Sequence, residues 1–465
     1  MTALVALGRR IPPVFIAGFA ALVVWWLAAG HVFSPVKATA VLLVVLAAVA
    51  ALRRPQLVLG LGFAATALIP IYWVPSPAGI PIAPVIGTVA AVVLLPAVAV
   101  AHRGHRWVPI DVAVGAFIAL VIVAAYADSG SATSFSAQLV ATALLPYLAA
   151  RMLADAGGRR WIAAATVPVA TLLSVVGIRE HDGVANPFFT LIKPKYLGSQ
   201  WARPEFRLNS VRAEASFGHP IAFGMFLALS ISLTLWLARD VQRMWLRVLL
   251  IAVAGVQLVA LSDTLTRGPW LAIVITVVLA LPSAFRGRHW GRTAVGVIAL
   301  GAIVALTPVG STMSTLWERS SGTTSEANSA HYRVELLSTM TDSANFSWFG
   351  TQASDADGGI AGSARQRIGV VSIDDEYTLV YLQSGVLALL AFVGVALCVW
   401  WAALRRRLSL GSRVWGLVVV GATVAITTVA LFTQYVEIFW MLIGVVAAVD
   451  EQRRAKQRAV TAGAM

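Results

Sequence analysis

The sequence predicts an all-α fold, a polytopic transmembrane helix bundle of about fourteen spans with both termini in the cytoplasm. Three observations carry this. Apolar residues make up 59% of the chain and charged residues 12%, with a mean hydropathy of +0.81, whereas a soluble domain is roughly half apolar and about a quarter charged. Many apolar runs approach the roughly 20 residues that a helix needs to cross a hydrocarbon core. The basic residues also fall in alternate gaps. Counted from a cytoplasmic N-terminus, every second gap is basic, and these gaps together hold 23 Lys and Arg against 5 Asp and Glu. The remaining gaps hold 12 against 16, and the two sides account for the whole-chain charge of +14. That asymmetry is the positive-inside pattern.

The first span, 11–29, follows Arg9 and Arg10 and is longer than a signal-peptide core, and further spans follow it. The others are read at 37–52, 57–75, 81–101, 109–127, 135–151, 160–178, 216–237, 247–262, 268–285, 293–309, 375–403, 414–433 and 435–449. An even number returns the C-terminus to the cytoplasm. Trp107, Trp161, Trp245, Trp290, Trp400, Trp401 and Trp415 fall near cytoplasmic span ends, where an aromatic belt belongs. Pro96 and Pro168 lie inside spans and mark kinks. No internal repeat is found, so inverted-repeat transporter symmetry has no support. Residues 1–450 read as one membrane domain and 451–465 as a basic cytoplasmic tail.

Two outer segments, about 179–214 and 310–373, are too long to be simple turns. In the second, Tyr332, Leu336, Leu337 and Met340 share one helical face. The pI near 10.8 is explained by basic turns facing anionic headgroups, so no nucleic-acid partner is implied. The one cysteine, Cys398, excludes an intramolecular disulfide and a cysteine-based metal site. No ligand spacing implies a metal, and no cofactor is implied.

The outer charges carry the chemistry. Arg212 precedes a span, Arg267 sits in a Thr-Arg-Gly turn between two spans, and Arg333 lies in the large loop. Outer arginines beside spans run against the positive-inside rule, and a guanidinium fork matches phosphate oxygens. Asp374, Asp375 and Glu376, followed by Tyr377, place three carboxylates at a helix start. One of them suffices as a cap worth about 1 kcal/mol at most, and a carboxylate there is a candidate general base. His219, Glu214 and His331 are auxiliary candidates.

In this order, these stretches resemble the O-antigen ligase and O-antigen polymerase superfamily of bacterial envelope polysaccharide assembly. The matching stretches are Arg212–Gly224, Leu265–Trp270, Tyr332–Gly350 and Asp374–Gly385. The resemblance implies a membrane glycosyltransferase similar to the GT-C type, multi-pass in the bacterial cytoplasmic membrane, with its active face outside the cytoplasm. It implies a polyprenyl-pyrophosphate-linked oligosaccharide as donor, a glycan or lipid-linked acceptor, and envelope-assembly proteins as partners. By motif, Arg212 and Arg267 would grip the carrier phosphates, aided by Arg333, with Asp374, Asp375 or Glu376 as base. Ligases carry His-Asn where this chain has Asp374-Asp375, and an Asp at the first place resembles the polymerase branch. Glu214 or Ala215 stands where a glycine is expected. The alternative reading is a flippase or transporter for lipid-linked oligosaccharide, which should show ionisable residues deep within spans.

Overall fold

The computed structural model describes residues 54–70, 106–127, 132–154, 156–191, 204–207, 210–284, 346–350, 375–405, 410–431 and 433–463. The predicted spans 11–29, 37–52, 81–101 and 293–309 lie outside the described residues, as does most of the large loop. The described part is a helix bundle. Its helices are α1 (Pro55–Leu68), α2 (Pro109–Ala127), α3, α4 (Ala156–His181), α5 (Pro187–Leu191), α6 (Pro220–Asp240), α7 (Met244–Asp263), α8 (Gly268–Ala284), α9 (Glu376–Leu404), α10 (Leu410–Ala425) and α11 (Tyr435–Gly463). Helix α3 comprises Ala132–Leu139, a π turn at Val140–Leu144 and Leu145–Leu153. Six described helices are long and apolar enough to cross a membrane. A short antiparallel ribbon, β1 (Phe206–Arg207) with β2 (Ser210–Val211), interrupts the all-helical pattern.

The packing is that of a membrane bundle. Backbones approach closely where glycine omits a side chain. A Cβ on Gly60 of α1 would lie 2.6 Å from the Trp161 carbonyl oxygen of α4, and one on Gly444 of α11 would lie 2.4 Å from that of Tyr147 in α3. The outward faces stay apolar: Trp245, Val248, Leu249 and Ile251 of α7 are all more than half exposed. A soluble bundle would cover such a stripe or make it polar. Of the predicted belt tryptophans, Trp107, Trp161, Trp245 and Trp401 are exposed. Trp415 is instead buried in the core, edge-on to Trp236. Its helix is covered by α8 and α9, which hydropathy alone does not reveal.

Helix α9 corrects the single span expected at 375–403. Gly385 has φ 82° and ψ −179°, a conformation essentially restricted to glycine. The rings of Tyr377 and Phe392 lie 5.3 Å apart, although fifteen residues of straight helix would separate them by about 22 Å. The first arm of α9 therefore folds back along the second. The segment 346–350 closes the elbow: the N–H groups of Val386 and Leu387 donate to the carbonyls of Ser347 (3.0 Å) and Trp348 (3.4 Å). These are N–H groups that a helix start leaves without partners. A Cβ on Gly385 would lie 2.4 Å from the Trp348 carbonyl oxygen. Gly385→Ala is expected to cost at least about 3 kcal/mol through strain and displacement of this strap, read as a lowered thermal midpoint in detergent.

The two ends of the bundle differ in charge. At one end Arg151 meets Glu451, Arg159 meets Gln452, and Arg160 faces Asp240. The basic gaps next to α2, α3, α4, α6 and α11 thus converge on one end. Helix α11 runs unbroken to Gly463, so the expected tail is its continuation. At the other end the chain is less regular. Helix α10 stops at Ala425, short of the predicted 433, and residues 426–431 and 433–434 turn back toward α11. There the Gln434 side-chain amide donates to the carbonyls of Ile69 and Ser216, both at 3.0 Å.

Candidate functional site

The irregular end is assembled from segments distant in sequence. The ribbon leads into residues 212–219, which are buried except for the partly exposed His219. The N–H of Ala213 donates to the Asp263 carbonyl at 3.0 Å, fastening this stretch to the end of α7. Arg212 Nε donates to the Thr264 carbonyl (3.0 Å), and Arg207 Nη1 donates to the Leu265 carbonyl (2.7 Å). Two guanidinium groups therefore grip successive carbonyls of the turn that carries Arg267. Leu265 holds φ 51° there, and Ala215 and Thr433 hold φ 48° and 54°. Among the described residues the non-glycine positive φ values all fall at this end, a signature common at functional sites.

Acids surround the arginines. Glu205 Oε2 lies 2.5 Å from Arg212 Nη1, and Glu205 Oε1 lies 3.4 Å from His219 Nε2. Glu205 is the exposed member, with 38% of its side chain accessible. Arg212 Nη2 makes no hydrogen bond among the described residues. Burial lowers Arg212 to about 10, with the neighbouring charge of Arg207 adding to the effect, so it stays charged at neutral pH. His219 is the N-cap of α6, its Nδ1 accepting from the Ile221 N–H at 3.2 Å. Burial and then the Arg212 charge push it down to about 3. It is thus a neutral imidazole with the proton on Nε2, and its contact with Glu205 is a hydrogen-bond approach between a neutral donor and a carboxylate, not an ion pair.

Deeper in, Glu180 Oε2 accepts from the N–H groups of Glu214 and Ala215, both at 2.9 Å, and its Oε1 accepts from Asn186 Nδ2 at 2.8 Å. Glu214 is fully buried and accepts from the Glu205 N–H at 3.0 Å. Its other oxygen has no partner among the described residues. Burial, with Glu180 and Glu205 nearby, raises it to about 9, so Glu214 is a neutral acid at pH 7. A folded value above the ordinary 4.5 means the native state keeps a proton that the unfolded chain releases. Stability from this group is complete below pH 4.5 and falls on the order of 1 kcal/mol per pH unit up to about 9. Glu214→Gln is expected to flatten that part of the unfolding-midpoint profile while leaving the fold intact at pH 7.

The acidic cap reaches the same end through the 425–431 turn. Asp375 is the N-cap of α9, accepting from the Tyr377 N–H (3.0 Å) and the Thr378 hydroxyl (2.6 Å). The Glu376 N–H donates to the Ile426 carbonyl (3.1 Å), and its carboxylate accepts from the Leu431 N–H (2.6 Å). Tyr377 donates its hydroxyl to the Thr423 carbonyl at 3.0 Å. On the other side of this turn, a Cβ on Gly268, next to Arg267, would lie 2.7 Å from Val429 and 3.2 Å from the Thr428 hydroxyl. The arginine turn and the acidic cap therefore share the 425–431 segment. Asp374, Arg333 and His331 lie outside the described residues.

Glu205, Arg207, Glu180 and Gln434 were not among the sequence candidates. The alternation of Glu205 and Arg207 upstream of Arg212 is a local signal that an extended ribbon explains. Glu180 and Gln434 act through contacts to distant segments and leave no local signal. No protein-family model matches this chain, and no curated protein matches it.

Proposed function

We propose that the chain transfers a glycan from a polyprenyl-pyrophosphate carrier to a hydroxyl of a glycan or lipid-linked acceptor, on the face of a bacterial cytoplasmic membrane away from the cytoplasm. The supporting observation is that Arg207, Arg212, Arg267 and the acid-capped start of α9 are tied to two adjoining turns at the end opposite the basic gaps. The positive-inside rule assigns the basic end to the cytoplasm. In the transfer the anomeric carbon–oxygen bond to the pyrophosphate breaks and a bond to the acceptor oxygen forms. The charge that develops on the departing pyrophosphate is met by fixed guanidinium groups. The acceptor proton passes to a carboxylate. Asp375 and Glu376 are already engaged with backbone donors, and Glu205 with Arg212 and His219, which leaves Asp374 as the first base candidate. Direct displacement inverts the anomeric centre, and no metal takes part.

The test is transfer by the purified protein in vesicles containing a defined lipid-linked oligosaccharide. Extended glycan with an inverted linkage is the expected product. A retained linkage would refute direct displacement, and no transfer would refute the enzyme reading. One observation favours the alternative of a flippase. Glu437 of α11 is 1% exposed, and one of its carboxylate oxygens has no partner among the described residues. It lies in the first turn of α11, and buried carboxyls beside a membrane span can mark an ion or proton pathway. If Arg212 variants leave lipid-linked repeats on the inner leaflet, the transport reading replaces the enzyme.

A further inference from the structure

A cavity of about 230 Å³ opens at the basic end, lined by Arg106, Trp107, Glu451, Arg454 and Arg458 among others. It is remote from the Arg212 cluster. Its acid is committed within the protein: Glu451 accepts from the Arg106 N–H (2.5 Å) and from Arg151 Nη1 (2.8 Å). Arg454 is likewise paired with Asp450 at 2.7 Å. The exposed guanidinium groups of Arg106 and Arg458 make no ion pair or hydrogen bond among the described residues. The cavity thus has a fixed polar floor and two uncommitted cations at its mouth.

We propose that this cavity binds the phosphate of an anionic membrane lipid. A guanidinium fork suits a phosphate, whether lipid-borne or free. The surroundings favour a lipid. Trp107 is 73% exposed at the mouth, and Val112, about one helical turn along α2, is 62% exposed. A headgroup held by the arginines therefore has an apolar helix face along which its acyl chains can lie. Trp beside paired basic residues is the arrangement found at the headgroup level.

The test uses the full chain in nanodiscs of phosphatidylcholine doped with phosphatidylglycerol, with bound lipid counted by native mass spectrometry. Phosphatidylglycerol is expected to be retained selectively. Arg106→Ala and Arg458→Ala should each weaken retention about fivefold and the pair roughly thirtyfold. Both residues are exposed, so the fold should survive, and a double lysine variant that keeps most of the retention separates loss of charge from loss of structure. Equal retention of both lipids, or retention unchanged in the double alanine variant, overturns the proposal. Inorganic phosphate added in detergent is the second arm. Lipid retention unaffected by millimolar phosphate supports the lipid, and complete displacement assigns the cavity to a free phosphate and overturns it. Neither outcome bears on transfer at the opposite end.

Discussion

Under the proposed transfer reaction, replacing Arg212 by alanine is expected to lower glycan transfer at least about a hundredfold, the scale seen when one preorganised donor to a developing negative charge is removed. The geometry explains why a single residue matters so much. Arg212 is fixed through Nε by the Thr264 carbonyl and through Nη1 by Glu205, so its remaining donors are held without further reorganisation. Lysine should recover little, since an ammonium lacks the planar fork that spans both partners. The loss should fall mainly on kcat, because charge builds on the pyrophosphate chiefly as the bond breaks. Initial rates with a defined lipid-linked oligosaccharide measure this. Size-exclusion profiles of the variants separate lost chemistry from lost fold. Near-normal transfer by the lysine variant would sink the phosphate-clamp role.

The second large effect is structural. Arg151 is 2% exposed and is held between two helices. Its Nε donates to Asp111 Oδ1 at 2.7 Å, its Nη2 to Asp111 Oδ2 at 3.0 Å and to the Arg106 carbonyl at 3.0 Å, and its Nη1 to Glu451. Tyr147 donates its hydroxyl to the same Asp111. Arg151→Ala would leave the buried Asp111 carboxylate without its cation, and losing one partner of a buried pair costs about 3–5 kcal/mol. A marked fall in the thermal midpoint in detergent is the expected result. Arg151→Met with Asp111→Asn should recover part of it, since the more deeply buried carboxylate is then neutral and only the more exposed Glu451 loses its cation. If the double variant is as unstable as Arg151→Ala, the ion pair is not the cause.

Much of the bundle was legible in the chain. The apolar run at 109–127 coincides with α2, and 268–285 with α8 to within a residue. Hydropathy reports burial in lipid or core one residue at a time, so it finds a helix wherever the run is unbroken. It merged the arms of α9, because Gly385 is one residue in an apolar stretch and only the Ser347–Trp348 strap shows that the chain reverses there. It also extended α10 to 433, because the turn at 426–434 is almost as apolar as the helix. Its polar backbone is satisfied by Glu376 and by turn hydrogen bonds that no local pattern announces.

The candidate site divides in the same way. Arg212 and Arg267 stood out because, in gaps read as outer, arginines beside spans run against the positive-inside pattern. The alternating charges and apolar lengths thus pointed to the membrane class and to the arginines that break the charge pattern, since solvation acts on each residue separately. They could not establish that Arg207 and Arg212 grip the same turn, that His219 is a cap, or that Glu214 is kept neutral. Most of these properties arise where segments tens of residues apart exclude water together, and desolvation at such a junction belongs to the packed chain and not to any stretch of it.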